Sequence, residues 1–482
     1  MSEHNRNQGK RNETTCPPRG DLRSGVPAGS GDPRRALGSF FRPFAQRRAR
    51  VLQLAYACSP YKGSEPGVGW NRAVQAARYS DVWVVCEGGE FRPHMEHYFR
   101  ANGDVDGLNV LYVPKTSLER RLSAVPGLYY LAYNRWHRRV FRFVQNLHAE
   151  IRFDLTHQVN MCGYREPGYL CQLDVPLVWG PIGGTQNHPW RNLDQAGLIG
   201  GVQETLRSVL NASQLRFSRR VHRAAHRADL LLAANSTVQR HFASVVGRPG
   251  ERMCETGIHV PQFPSSLAER DGPLRVLWAG EFRAFKALPM LLKALAEIRG
   301  EVDFQLRVVG DGPQRKRWLR LARQWGLEDR VTWTGWLSHQ ETLRQYEWAD
   351  LFAFTSLRDT TGSVIFEALS NGVPVIAPNH QGAGDIVTPD SGIPITVRAT
   401  KEMIADYRQA IQDLAADPAK RMRLRRGAVR RAQDYAWDEQ GRRMRDYYRE
   451  LLGEGFDWSD RRCARPIERK VQDTSQDREV VV

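Results

Sequence analysis

From residue 50 onward, short apolar runs alternate with longer stretches whose apolar residues recur three and four positions apart. VLQLAYA reads as a strand, SPYKGSEPGVG as a Gly/Pro-rich loop, WNRAVQAARY as a helix and DVWVVCEG as a second strand, which makes a βαβ unit. Further apolar strands are expected at NVLYVP, FDLTHQV, VPLVWGP and ADLLLAAN, separated by helical stretches. Continuous apolar strands between helices predict a parallel sheet covered on both faces. The pattern breaks at HVPQFPSSLAERDGP, residues 259–273, a proline-punctuated stretch of the kind that joins domains. It then restarts with strands LRVLWAG, FQLRVVG, RVTWTGW, DLFAFTS and GVPVIAP, and with helices LPMLLKALAEI, QRKRWLRLARQWG, HQETLRQYEWA and SVIFEALSN between them.

The fold class expected is therefore α/β, with two tandem doubly wound, Rossmann-like domains facing a cleft that is the default ligand site. Their expected bounds are 50–262 and 263–430. A final helix over 431–453 follows, crossing back toward the first domain, and the charged, aperiodic residues 454–482 are expected to be disordered. A length of 482 residues suits two such domains.

Charge adds a partner class. Lys and Arg number 70 against 53 acids, a net +17, which favours an anionic partner. The first 50 residues hold 11 of the cations and 4 of the acids without apolar periodicity, so residues 1–48 are expected to form a disordered basic tail. The seven cysteines are scattered and form no CxxC pair, which argues against a disulfide framework and against structural zinc. No apolar run reaches the roughly 18 residues of a membrane span, and the N-terminus lacks a signal-peptide pattern, so a cytoplasmic protein is expected. Residues 117–144 mix aromatic residues with Arg120, Arg121, Arg138 and Arg139, and could rest on the anionic inner face of the cytoplasmic membrane or be an ordinary helix with a solvated basic side.

Three stretches could carry chemistry. In DTTGSVIFEALSNGVPVIA, the loop and helix after strand FAFTS would leave the N–H groups of Gly362, Ser363 and Val364 at the positive end of a helix, a seat for phosphate. Glu367, about one turn inside, suits ribose hydroxyls. Read alone, the motif is equally consistent with a surface helix whose glutamate faces water. In WAGEFRAFKALPMLLKAL, Arg283 and Lys286 follow a strand and could neutralise a diphosphate or simply be solvated. In VVGDGPQRKRW, Gly310 and Gly312 permit close backbone approach, which a βα turn also needs for geometry.

In their order, GEFRAFK, VVGDGP, DTTGSVIFE and GVPVIA resemble the donor-binding lobe of glycosyltransferase family 4, the retaining two-lobed GT-B enzymes. LAYACSPYKGSEPGVGWN, FDLTHQVNMCGYREPGYL and VPLVWGPIGGTQN look like the acceptor lobe of bacterial members that build surface polysaccharides or glycolipids. The resemblance spans about residues 50–453. It implies that Asp359 and Glu367 are the family's acid pair, the first toward the sugar and the second toward the ribose. Asp359 stands where the family carries Glu. Ser363 and Val364 would serve the distal phosphate beside Gly362, Lys286 would match the family's basic residue, and Gly335 and Trp336 would lie near the nucleobase. Position 281 is Glu rather than the family's Arg, so either Arg283 takes over that contact or donor binding is weakened. His157 would face the reacting carbon, Gly67 and Gly69 would let the first loop approach the phosphates, and Glu65 would meet the acceptor.

The implied reaction is hexosyl transfer from a nucleotide-diphosphate sugar to a glycan, lipid-linked or small-molecule acceptor with retention of configuration. The resemblance implies neither a metal nor a further cofactor; the DxD of Asp104 and Asp106 lies among turn residues. Two alternatives stand beside it: a degenerate transferase that binds a nucleotide sugar without turnover, and a nucleic-acid-binding protein. The second is suggested by charge alone, and no nucleic-acid-binding module is recognisable.

Overall fold

The computed structural model describes residues 47–125, 127–259 and 271–464. The first sheet comprises β1 (Arg50–Ala55), β2 (Asp81–Cys86), β3 (Leu108–Tyr112), β4 (Leu155–Asn160), β5 (Leu177–Ile182), β6 (Leu230–Ala233) and β7 (Glu251–Arg252). The second comprises β8 (Leu274–Ala279), β9 (Phe304–Val309), β10 (Val331–Gly335), β11 (Leu351–Ala353), β12 (Val375–Pro378) and β13 (Gly392–Ile395). The spatial orders are β3-β2-β1-β4-β5-β6-β7 and β10-β9-β8-β11-β12-β13. All pairings within both sheets are parallel. In each sheet the order reverses direction beside the first strand, and the carboxyl ends of the strands there open toward the cleft.

Both faces of each sheet are covered, as the continuous apolar runs require. Leu52 and Leu54 of β1 pack with Trp136 and Trp179 on one side, whereas Val51 packs with Val82, Leu155 and Val178 on the other. In the second sheet Val276 and Trp278 point into one core, and Leu277 and Ala279 into the opposite one.

Seven helices frame the cleft and its surroundings: α1 (Ser64–Ala77), α2 (Tyr129–Ile151), α3 (Leu193–Phe217), α4 (Ser363–Ser370), α5 (Gln381–Ile386), α6 (Pro418–Gln433) and α7 (Trp437–Leu452). The expected bound at 430 falls inside α6, and the expected single helix over 431–453 is two helices separated at Asp434–Ala436. The bound at 262 lies outside the described residues, as does nearly all of the expected basic tail. Helix α7 packs on the first domain: Met444 and Tyr448 join the core behind β1 and β4.

The expectation that disorder begins at 454 needs correction. Residues 454–464 pack against the first domain, with Trp458 8% exposed in that same core. Arg461 pairs with Asp81 and Arg78 with Asp460, while Arg48 meets Asp457 at 3.3 Å. Charges of both signs on the first domain thus pair with the charges that made this segment look unfolded. Residues 465–482 lie outside the described ones. Trp458→Ala should lower stability by about 3–5 kcal/mol, because it deletes a nearly buried ring. A urea titration that leaves the midpoint unchanged would show the clasp to be dispensable.

Candidate active site

The turns leaving β8, β9, β10 and β11 are tied to one another. Gly280 N–H donates to Val309 O (3.0 Å), and Gly310 N–H to Gly335 O (2.9 Å). Thr355, just beyond β11, donates to Lys286 O (2.6 Å), and Leu357 N–H to Phe285 O (2.9 Å). Gly310 has φ +117°, and a Cβ there would lie 2.1 Å from Gly280 O, so the crossing of these turns admits no side chain. Gly312 lies similarly close to Phe282, 2.9 Å from its nitrogen for a built Cβ.

Helix α4 starts at the same edge. Its N-cap, Gly362, has φ +79°, and a Cβ there would sit 2.9 Å from the Phe354 ring. The first-turn N–H groups of Ser363 and Val364 therefore open at the carboxyl edge of the sheet with the positive end of the helix dipole. Ser363 is exposed and Val364 half-buried. Glu367 is half-buried one turn in, and the buried Tyr346 hydroxyl lies against its carboxylate. Burial, and then that carboxylate, raises the Tyr346 phenol well above its ordinary value.

Lys286 Nζ bonds Asp359 Oδ2 at 2.6 Å, both side chains about four-fifths covered. Arg283 Nε meets Glu281 Oε1 at 2.6 Å in more open surroundings. The glutamate at 281 is thereby neutralised by the arginine two residues on. Trp336 follows Gly335, which has φ +72°, and is 63% exposed at the rim.

The first domain closes on this edge. Thr360 fits against Gly183, where a Cβ would lie 2.7 Å from Thr360 Cγ2, and Asn235 Nδ2 donates to Thr360 O at 2.7 Å. Asp359 N–H donates to Gln381 Oε1 (2.7 Å), whose Nε2 donates to Asn187 O (2.9 Å). Arg358 pairs with Glu204 at 3.0 Å. The loop from 358 to 361 is consequently held by both domains.

The first-domain residues stand differently from the expectation. Glu65, Gly67 and Gly69 belong to helix α1 and not to a loop. Gly67 and Gly69 serve packing: a Cβ at 69 would meet Ala57 O at 2.1 Å, and one at 67 Lys62 O at 2.7 Å. Glu65 accepts from Cys162 N–H at 3.1 Å, and burial raises its pKa. His157 is a correction. It is fully buried in β4, with Nδ1 2.6 Å from the Tyr448 hydroxyl and Nε2 2.7 Å from Gly180 O. Burial pushes it down to about 3, so it is a neutral core imidazole that braces α7 and does not face the cleft. Asp104 and Asp106 precede β3 at the opposite edge of the sheet from the cleft, and Asp106 meets Arg461 at 3.4 Å.

The sequence reading missed Glu255. It sits between β7 and the interdomain segment with its carboxyl Oε2 out of solvent, the Thr361 hydroxyl against it and the charges of Glu65 and Asp359 nearby. Burial, followed by those like charges, raises it to about 8. A single acid after the apolar pair Met253 and Cys254 was the available signal.

Residues 260–431 match the family described as glycosyl transferases group 1. The fold is GT-B. Among solved GT-B structures, the Anabaena protein HepE in complex with UDP-glucose has 18% identity and a TM-score of 0.54, covering 83% of this chain and 100% of its own. Among curated relatives, the α-D-kanosaminyltransferase of Streptomyces kanamyceticus is 32% identical over 185 residues, 38% of this chain and 46% of that protein. The lipopolysaccharide core biosynthesis glycosyltransferase LpsD of Rhizobium meliloti is 32% identical over 152 residues, 32% of this chain and 42% of that protein. The chain spans about half the length of these relatives.

Proposed function

We propose that this chain is a retaining glycosyltransferase of family 4 that moves a hexose from a nucleotide-diphosphate sugar to an acceptor hydroxyl. The observation that carries the reading is the meeting of Lys286 and Asp359, 2.6 Å apart, with the amino end of α4 and Glu367 at one sheet edge. The diphosphate would lie on the Ser363 and Val364 N–H groups and Lys286, the ribose on Glu367, and the base by Trp336. The tight turns at Gly310 and Gly312 would admit the donor close to the backbone. Asp359 would hand part of its bond with Lys286 to the sugar hydroxyls.

In the reaction the bond from the anomeric carbon to the phosphate oxygen breaks, and its electron pair stays on the diphosphate. The acceptor oxygen bonds that carbon from the same face, and its proton passes to a phosphate oxygen. No protein nucleophile or metal enters these steps. N–H donors already aimed at the leaving group are each worth about 10²–10³ in rate by analogy with an oxyanion hole. The acceptor would be a glycan or lipid-linked sugar, in keeping with the name of the Rhizobium relative, and the site of action the cytoplasm.

Thermal melting with a panel of UDP-, GDP- and ADP-sugars tests the reading. The right donor at a hundred times its Kd should add about 2.7 kcal/mol through linkage. If no nucleotide sugar raises the melting temperature, the proposal fails. A second reading, binding without turnover, is favoured by Arg283 being engaged by Glu281. Donor stabilisation with no product in any acceptor screen would select it, and a product of retained configuration by NMR would end it.

A further inference from the structure

Helix α3 is amphipathic the wrong way round for a helix packed in water. After a kink at Gly197 (φ 71°, ψ 177°), its inward side is polar. Glu204 pairs with Arg358, Arg207 Nη1 donates to Gln186 O at 3.0 Å, and Asn211 Nδ2 donates to Asn187 at 2.9 Å. Its outward side holds Leu198, Ile199, Val202, Leu206, Val209 and Leu210, which are 93%, 78%, 70%, 58%, 57% and 59% exposed. At 3.6 residues per turn these six fall in one stripe about a third of the circumference wide. Part of the stripe lines an open apolar groove of about 770 Å³. A continuous apolar face of this kind marks a docking surface.

The charges around the stripe say what it docks on. Between residues 193 and 227 there are six arginines and two acids. Both acids are engaged: Glu204 inward with Arg358, and Asp194 by the Thr400 hydroxyl at 2.7 Å. Arg216, in the last turn of α3, is exposed, and Arg219, Arg223 and Arg227 are exposed on the short helix that follows, Arg219–Arg227. A second copy of the chain would set one arginine rim against another across a two-fold axis. An anionic bilayer receives the apolar stripe in its acyl boundary and the arginines among its headgroups.

We infer that the outward face of α3 docks the protein on the surface of an anionic lipid bilayer. No described helix is long and apolar enough to cross one, so the contact is peripheral. The expected contact of residues 117–144 shifts accordingly. Arg138 is held by the Tyr169 hydroxyl (2.7 Å) and Arg139 by Glu119 (2.8 Å), and the continuous apolar face belongs to α3. The inward side of α3 touches Arg358, the neighbour of Asp359, so docking brings the bilayer beside the cleft. That a lipid-linked acceptor is delivered there rests on the transferase reading; the docking does not.

The test is cosedimentation of the full chain with phosphatidylcholine vesicles, with and without about 30 mol % phosphatidylglycerol. Anionic vesicles should bind about tenfold more tightly. The combined variant Leu198→Gln, Val202→Gln, Leu206→Gln should weaken that binding about a hundredfold. Its melting temperature should stay unchanged, since the three side chains are more than half exposed. Unchanged binding by the variant would overturn the inference. So would a dimer in sedimentation equilibrium that the variant dissolves, or vesicle binding that is lost when residues 1–46 are removed. The nucleotide-sugar shift, measured without vesicles, reports on the transferase reading separately, so either can fail alone.

Discussion

Glu367→Ala is expected to erase the stabilisation by nucleotide sugars and to weaken donor binding by about 10²–10⁴ in Kd. The size follows from the bond type: a carboxylate accepting from two hydroxyls makes two charge-assisted hydrogen bonds, each worth roughly 1.5–3 kcal/mol. Helix α4 presents this carboxylate one turn from the N–H groups that would hold the phosphate, and the Tyr346 hydroxyl lies against it from the buried side. Glu367→Gln keeps the shape and one acceptor, so it should retain part of the affinity. Isothermal titration with the donor that shifts the melt measures all three proteins. Equal affinities for wild type and the alanine variant would mean that the ribose sits elsewhere. Lys286→Met should act differently, lowering turnover more than affinity, because charge on the diphosphate grows as the bond breaks.

Both sheets were legible in the alternation of the chain, because strands buried on two faces have to read as continuous apolar runs. That same continuity hid the role of His157. All six residues of β4 are buried whichever way they point, so no parity argument could tell a core histidine from one facing the cleft. The order of turns, GEFRAFK, VVGDGP and DTTG, was readable because glycines at fixed offsets reflect real crossings of backbone. The clasp at 454–464 was not, since its charges become ordinary only beside Asp81, Asp106, Arg48 and Arg78, far away in sequence. Helix α3 escaped notice for the opposite reason: apolar periodicity is read as an inward face, and here that face points out. Glu255 needed the fold, because a lone acid acquires meaning only when Glu65 and Asp359 are brought to it.

Glu255 should make stability fall as pH rises from about 4.5 to about 8. Its carboxyl is raised from 4.5 to about 8 in the folded protein, first by burial and then by Glu65 and Asp359. Below 4.5 both folded and unfolded chains hold the proton, and above 8 both have released it. Between these limits the folded chain keeps a proton that the unfolded chain gives up, so the slope of stability against pH is negative. Integrated over the window, the loss is on the order of 4 kcal/mol. Glu65, also raised by burial, adds in the same direction, whereas Asp438 and Asp460, lowered by their arginine partners, act oppositely at lower pH. The clean measurement is therefore a difference. Glu255→Gln keeps the shape of the neutral acid, so its unfolding free energy by urea titration should match wild type near pH 5 and exceed it by several kcal/mol near pH 9. Parallel curves would show that Glu255 is ionised throughout. Because Glu255 lies against Thr361 in the loop that begins at Asp359, its ionisation also places a negative charge behind the proposed phosphate seat. Donor affinity in wild type should then weaken above pH 8, while the Gln variant stays level across the same range.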